Sequence, residues 1–139
     1  MNAKKEFEKI MSRTERIALA SAVDNIPNVR ILNFVYLGRE KILYFVSTKG
    51  DPKEKEFRKN NKVALTTIPS RGLSHVRIHD AVVKRSKKSI FDLKDEFIAK
   101  MPWYKKNIEQ NGAAMNLYEV HFSRLMLLAG PDRSAQMEL

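Results

Sequence analysis

Cysteine is absent from this 139-residue chain, so no disulfide framework holds it and no thiolate metal site is available. No apolar run approaches the roughly 20 residues that a helix needs to cross a bilayer. The opening MNAKKEFEKIM is charged throughout and lacks the apolar centre of a secretory signal. A cytoplasmic location, with no membrane partner, is therefore the expectation. Glycine and proline are scarce, at five each, and no repeat or low-complexity stretch occurs. The motifs GxGxxG, GxxxxGKS/T and GxSxG are missing too, which leaves dinucleotide, nucleoside-triphosphate and esterase readings without support. His75 and His79 lie four apart, with Asp80 beside them and His121 distant. A zinc site takes three or four ligands, so these histidines are expected in structural roles and no metal is expected.

What is present suits one domain. A chain this long buries roughly two-thirds of its unfolded surface, and a 43% hydrophobic share is enough for an ordinary core. Residues 1–139 are read as a single domain, with Gly130 onward a tail. Lysine and arginine total 26 against 16 acidic residues, a formal net charge of +10. Such a chain can meet nucleic acid, an acidic membrane surface or a phosphorylated small molecule. The excess is dispersed, however, and acidic residues interrupt most of the basic runs. Most of these lysines therefore read as solvated faces of amphipathic elements.

Phe7, Ile10 and Met11 recur at helical spacing within Ala3 to Ser12. Arg16 to Val23 alternates Ile17, Leu19, Ser21 and Val23 with alanines and precedes the turn signal Asp24 to Asn28, so it reads as a strand. Val29 to Tyr36 is rich in β-branched and aromatic residues and reads as the next strand. Leu37 to Lys41 turns the chain, and Ile42 to Thr48 returns it. Asp51 is placed to cap a helix, with Pro52 at its first position and Glu54 completing a capping-box pattern. Lys62 to Ile68 and Ser74 to about Lys84 are further strands. Ser89 and Asp92 open a helix in which Ile90, Leu93, Phe97, Ile98 and Met101 keep three- and four-residue steps. Pro102 ends it, Trp103-Tyr104 begins a connection, and Leu117 to Leu128 closes the chain as a strand. The sum is mainly β: six antiparallel strands closing into a small barrel, with short helices.

One cluster in this layout carries chemistry. Arg30 opens one strand, and Ser47 and Thr48 end the strand read as its hairpin partner. Lys53 sits in the first turn of the following helix. A guanidinium, two hydroxyls and an ammonium meeting a helix N-terminus suit a phosphate group. Singly, each residue has an ordinary surface role; together they favour an anion site.

NVRILNFV, ILYFVST, a lysine six residues after Ser47, and KNNKVALTTI resemble the pyridoxamine 5′-phosphate oxidase-like FMN-binding split barrels, over about Arg16 to Lys88. The short single-domain members, including the nitroimidazole-resistance (Nim-type) subgroup, are the nearest in pattern. The resemblance implies a six-stranded antiparallel split barrel that binds FMN. It implies that Arg30 and Lys53 contact the phosphate and that Ile31, Leu32 and Asn33 border the ring. Val46, Ser47 and Thr48 match the motif at the end of the next strand, and His75 stands where the family often has glutamine. Pro52 replaces an arginine found before the lysine in the enzyme that names the family, and that enzyme's C-terminal substrate motif has no match here.

The expected function is an FMN-dependent oxidoreductase acting on a small molecule, as a homodimer with FMN at the interface. Trp103 is a candidate interface or flavin-covering residue. No catalytic acid or base is assigned. The alternatives are a flavin-binding or electron-transfer protein without turnover, and a basic nucleic-acid-binding barrel. The strands lack the row of exposed aromatics that the last would need, so nucleic acid is not the expected partner.

Overall fold

Two left-handed residues set the first hairpin. Asp24 and Asn25 have φ of 53° and 63°, as a two-residue turn between twisted strands requires. Around them β1 (Arg16–Val23) and β2 (Ile26–Asn33) pair along their whole length, from Val23 opposite Ile26 to Arg16 opposite Asn33. These elements belong to a computed structural model that describes residues 2–139. Before the hairpin lies α1 (Ala3–Arg13), which is capped by the Asn2 side chain and buries Phe7, Ile10 and Met11.

The strand expected over Val29 to Tyr36 is not continuous. It breaks at Phe34, and only β3 (Val35–Leu37) pairs with β4 (Ile42–Thr48). The partner of β2 is β1. The reason lies in burial: Phe34 and Val35 are adjacent and both buried, which a regular strand with alternating faces does not permit on one side. Phe34 enters one core and Val35 the other.

After β4 come α2 (Pro52–Lys59), β5 (Lys62–Thr67) and β6 (His75–Arg85). The expected helix from Ile90 resolves into a 3-10 turn, Ile90–Leu93, with the Ser89/Asp92 capping box, and then α3 (Lys94–Lys100). Trp103-Tyr104 leads straight into another helix, α4 (Tyr104–Asn111), where an open connection was expected; Tyr104 and Ile108, four apart, bury its inner face. The expected final strand divides at Ser123 into β7 (Met115–Phe122) and β8 (Arg124–Leu128). Long β6 pairs with β7 through Ala81–Arg85 and with β8 through His75–Arg77, so it serves both halves of the divided closing strand. The expected tail also contains a strand, β9 (Ser134–Glu138), paired with β8. The described residues thus hold nine strands rather than six, all paired antiparallel.

The sheet runs in the order β2-β1-β5-β6-β7-β4-β3. Its first and last members are neighbours in the chain, separated by Phe34 alone, so the sheet must curl until its ends meet. That curl is the split barrel. Inside it pack Ile17, Leu19, Phe34, Phe45, Ile78 and Val120. On the outer side of β4 and β7, Tyr44 and Leu117 pack against Phe97, Met101, Tyr104 and Ile108 from the helical segment.

Lys100 staples the break at Phe34. Its Nζ donates to the carbonyls of Phe34 (2.9 Å) and Met11 (3.1 Å) and lies 3.6 Å from the centre of the Phe34 ring. Burial pushes the ammonium down to about 7, against the opposing pull of the Glu15 carboxylate. The folded chain therefore loses this proton well below the ordinary lysine value of 10.5, while the unfolded chain keeps it. Stability contributed by this group rises with pH between those two values. Lys100→Met should remove that rise. In urea titrations, the stability of the variant relative to wild type should fall as the pH goes from 7 to 10; a constant difference would contradict the assignment.

Candidate functional site

The first turn of α2 is built by its own cap. Gly50 takes a φ of 86°, Asp51 caps the helix by accepting from the Lys53 N–H at 3.0 Å, and Pro52 needs no donor there. Glu54 does not close a capping box on Asp51. It is buried, and one oxygen accepts from the Gly50 N–H (2.8 Å) while the other accepts from Asn116 Nδ2 (2.8 Å) and Tyr118 Oη (3.0 Å) on β7. Burial raises its pKa, but the bonds from Asn116, Gly50 and Tyr118 outweigh it and hold the carboxyl below its usual value. Phe57 then locks the helix onto the aromatic rings of Phe45 and Tyr118.

Arg30 comes to this helix from β2. One terminal nitrogen donates to the Leu19 carbonyl (3.2 Å) and Ser21 Oγ (2.9 Å), and the other to Glu56 Oε1 (3.2 Å). The guanidinium also lies 5.5 Å from the centre of the Phe57 ring. Lys53 Nζ pairs with Asp51 Oδ1 at 3.1 Å. The Lys53 N–H and the nearby cation hold the Asp51 carboxyl below its usual value. Arg30, Ile31, Leu32 and Lys53 line one open pocket of about 270 Å³, together with Asp51 and Glu56.

Four of the nine residues expected from sequence thus share a pocket. The other five do not line it. Asn33 ends β2 and donates to the Glu15 carbonyl at 3.4 Å. Val46 is half-buried beside the helical core. Ser47 is buried, lies on the β4 face of Leu43 and Phe45, and donates to the Thr48 carbonyl. Thr48 is exposed on the opposite face, across from Met115. His75 begins β6 with Nδ1 against the Leu73 carbonyl, opposite Leu128. The expectation that a hairpin sets Arg30 beside Ser47 and Thr48 is corrected by the register: Arg30 stands opposite Leu19. Its meeting with Lys53 comes through the curl of the sheet and the seat of α2.

Sequence reading missed Glu56 and Ser21, which bond Arg30 and each other, and Asn28, which bonds Glu56. The signal was present in part, because Glu56 lies three residues after Lys53 and so shares its side of a helix. Apolar side chains are also on offer: Val29 and Ile31, 63% and 60% exposed, form the outer face of β2. A pocket that offers Arg30 and Lys53 beside an exposed apolar strand fits a ligand with a phosphate at one end and a flat apolar body at the other. Among the described residues, no group of three or more His, Cys, Asp or Glu is arranged to hold a metal ion.

A family model described as pyridoxamine 5′-phosphate oxidase-like matches residues 10–131. The chain belongs to the pyridoxamine 5′-phosphate oxidase-like family. No curated protein sequence matches it. Among solved structures of this fold, it is similar to ChuZ of Campylobacter jejuni, at 15% identity and a TM-score of 0.78. That match covers 98% of this chain but only 59% of ChuZ, so the chain spans less than two-thirds of that relative. A NimC/NimA-family protein of Clostridium acetobutylicum is 17% identical, with a TM-score of 0.69 over 98% of this chain and 91% of the other. A FAD-binding protein of Mesorhizobium loti is 18% identical, with a TM-score of 0.64 over 90% of each chain. At these identities the likeness is one of fold.

Removing the Glu54 carboxylate should release α2 from β7 and leave three donors unsatisfied. Glu54→Ala is expected to lower stability by about 2–4 kcal/mol. A group held below its unfolded pKa contributes stability at higher pH, and that contribution disappears as the pH falls through the folded value. Glu54→Gln should therefore lose less stability relative to wild type below pH 4.5, the reference value for this group, than at pH 7. Chemical denaturation at the two pH values checks this.

Proposed function

We propose that this chain binds FMN through its phosphate at the Arg30–Lys53 pocket and acts as a flavin-dependent oxidoreductase on a small molecule. The observation that carries the reading is the convergence of Arg30 and Lys53, from β2 and α2, on one pocket beside the capped start of a helix. Family membership supports it, as does the FAD named for the Mesorhizobium loti neighbour. FMN, when bound, would supply the electron-transfer chemistry; the protein would supply orientation and a water-poor wall. Arg30 would donate through N–H groups that its present bonds leave over, and Lys53 through the free hydrogens of its ammonium. Ile31 and Leu32, which line the same pocket, would border the ring; the family pattern also implies Asn33, Val46, Ser47, Thr48 and His75, which lie outside that pocket on β2, β4 and β6.

A homodimer follows from the same reading. β2 leaves Ile26, Val29 and Ile31 in water, and a flavin ring laid nearby would be wet on one side. A second copy related by a two-fold axis would cover both. Light scattering of the FMN-saturated protein should give twice the 16.1 kDa chain mass; the mass of one chain would count against the dimer.

Flavin fluorescence quenching tests the pocket. A charge-assisted hydrogen bond is worth roughly 1.5–3 kcal/mol, so Lys53→Ala should weaken FMN binding about ten- to a hundredfold. Added salt should weaken wild-type binding as well. Riboflavin, which lacks the phosphate, should bind wild type poorly and the variant no worse. Equal losses for the two flavins would remove the phosphate assignment. Bound flavin that no reductant or acceptor turns over would leave a carrier instead of an enzyme.

A further inference from the structure

Resting on that reading, we propose that Glu56 is a built-in competitor for the phosphate, a carboxylate of the chain itself that occupies part of the anion site and must be outbid by the ligand. Three donors from the β1–β2 hairpin converge on it. Arg30 Nη2 and Ser21 Oγ reach Oε1 at 3.2 and 3.0 Å, and Asn28 Nδ2 reaches Oε2 at 3.2 Å. A guanidinium, a hydroxyl and an amide closing on two oxygens form an oxyanion-binding set. Here the oxyanion comes from α2.

Its surroundings make the competition effective. The Arg30 and Glu56 side chains are only 16% and 23% exposed, so water and salt screen the pair less than at an open surface. Lys53, the other cation of the pocket, already faces Asp51. The two cations lining the pocket are thus matched by two carboxylates, and a phosphate dianion arriving there adds to a neutral site instead of filling a positive one. Of the two carboxylates, Asp51 is fixed by its capping bond to the Lys53 N–H. Glu56 makes no capping bond, and its longer side chain can turn aside. Glu56 is therefore the group that yields, and it sets how weakly the phosphate is held.

The contrary possibility is that Glu56 orients Arg30 for the ligand, and the two roles have opposite signs. Glu56→Gln keeps the shape and removes the charge; its one carbonyl oxygen can still accept from Arg30 and Ser21, while its amide takes the place of the oxygen that faces Asn28. It should tighten binding of FMN and of inorganic phosphate about tenfold, equivalent to about 1.4 kcal/mol, and leave riboflavin unchanged. Calorimetric titration of wild type and variant with each of the three ligands reads this directly. Unchanged or weaker phosphate binding by the variant would overturn the proposal. If FMN binds neither protein, the flavin reading falls, and the inorganic phosphate arm still decides the role of Glu56. Should Glu56→Gln fail to fold, Glu56→Asp draws the charge back by one methylene, and the same direction of change is expected. Weaker phosphate binding there would again overturn the proposal.

Discussion

The buried carboxylate of Glu54 is the interaction on which the site depends. An eight-residue helix such as α2 has little stability of its own in water. It holds its place because Glu54 accepts from Gly50 at its own entrance and from Asn116 and Tyr118 on β7, while Phe57 is buried one turn later. Once these two residues face the sheet, helical spacing decides where the others go. Lys53 and Glu56 are carried round to the side that looks at β2. The pocket between α2 and β2 is thus a by-product of how a polar residue was buried.

The second constraint is topological. β2 and β3 stand at opposite ends of the hydrogen-bonded path yet are joined through Phe34. The barrel is closed at that seam by the covalent chain rather than by a ladder, and Lys100 satisfies the carbonyl the break exposes. Because the seam needs no pairing, β2 keeps a free edge. Its outward side chains stay exposed, and its guanidinium turns to Ser21 and Glu56 instead of to a neighbour strand.

Local chemistry was legible in the sequence wherever a residue type has one good use. Asp51-Pro52 announced a helix start, and the steps from Ile90 to Met101 a helical face; the turn expected over Asp24 to Asn28 is there but closes in Asp24 and Asn25, with Ile26 to Asn28 already in β2. Reading failed where tertiary packing overrode the local pattern. Nothing in NVRILNFVY marks Phe34 as a break, because a run of apolar residues looks the same whether its side chains enter one core or two. The β9 segment Ser-Ala-Gln-Met-Glu is only weakly alternating, and its strand form rests on β8 being there to pair with it. For the candidate site, Arg30 and Lys53, which share a pocket in the structure, were picked out because family pattern and charge agree. Glu56, which opposes Arg30, was not, because a glutamate on a short basic helix reads as ordinary solvation until the facing hairpin is in place.

A single imino acid shapes what can approach the free edge of β2. The two-residue turn makes Val23 and Ile26 a hydrogen-bonded pair, so Ala22 and Pro27, next along the ladder, form a non-bonded pair whose polar groups point outward. Pro27 has no N–H to present there. A foreign strand therefore finds a gap in the template at the tip of the hairpin, and runaway edge-to-edge polymerisation meets a built-in stop. The exposed isoleucines and valine of β2 can stay available for face-on contact without making the protein prone to fibrils.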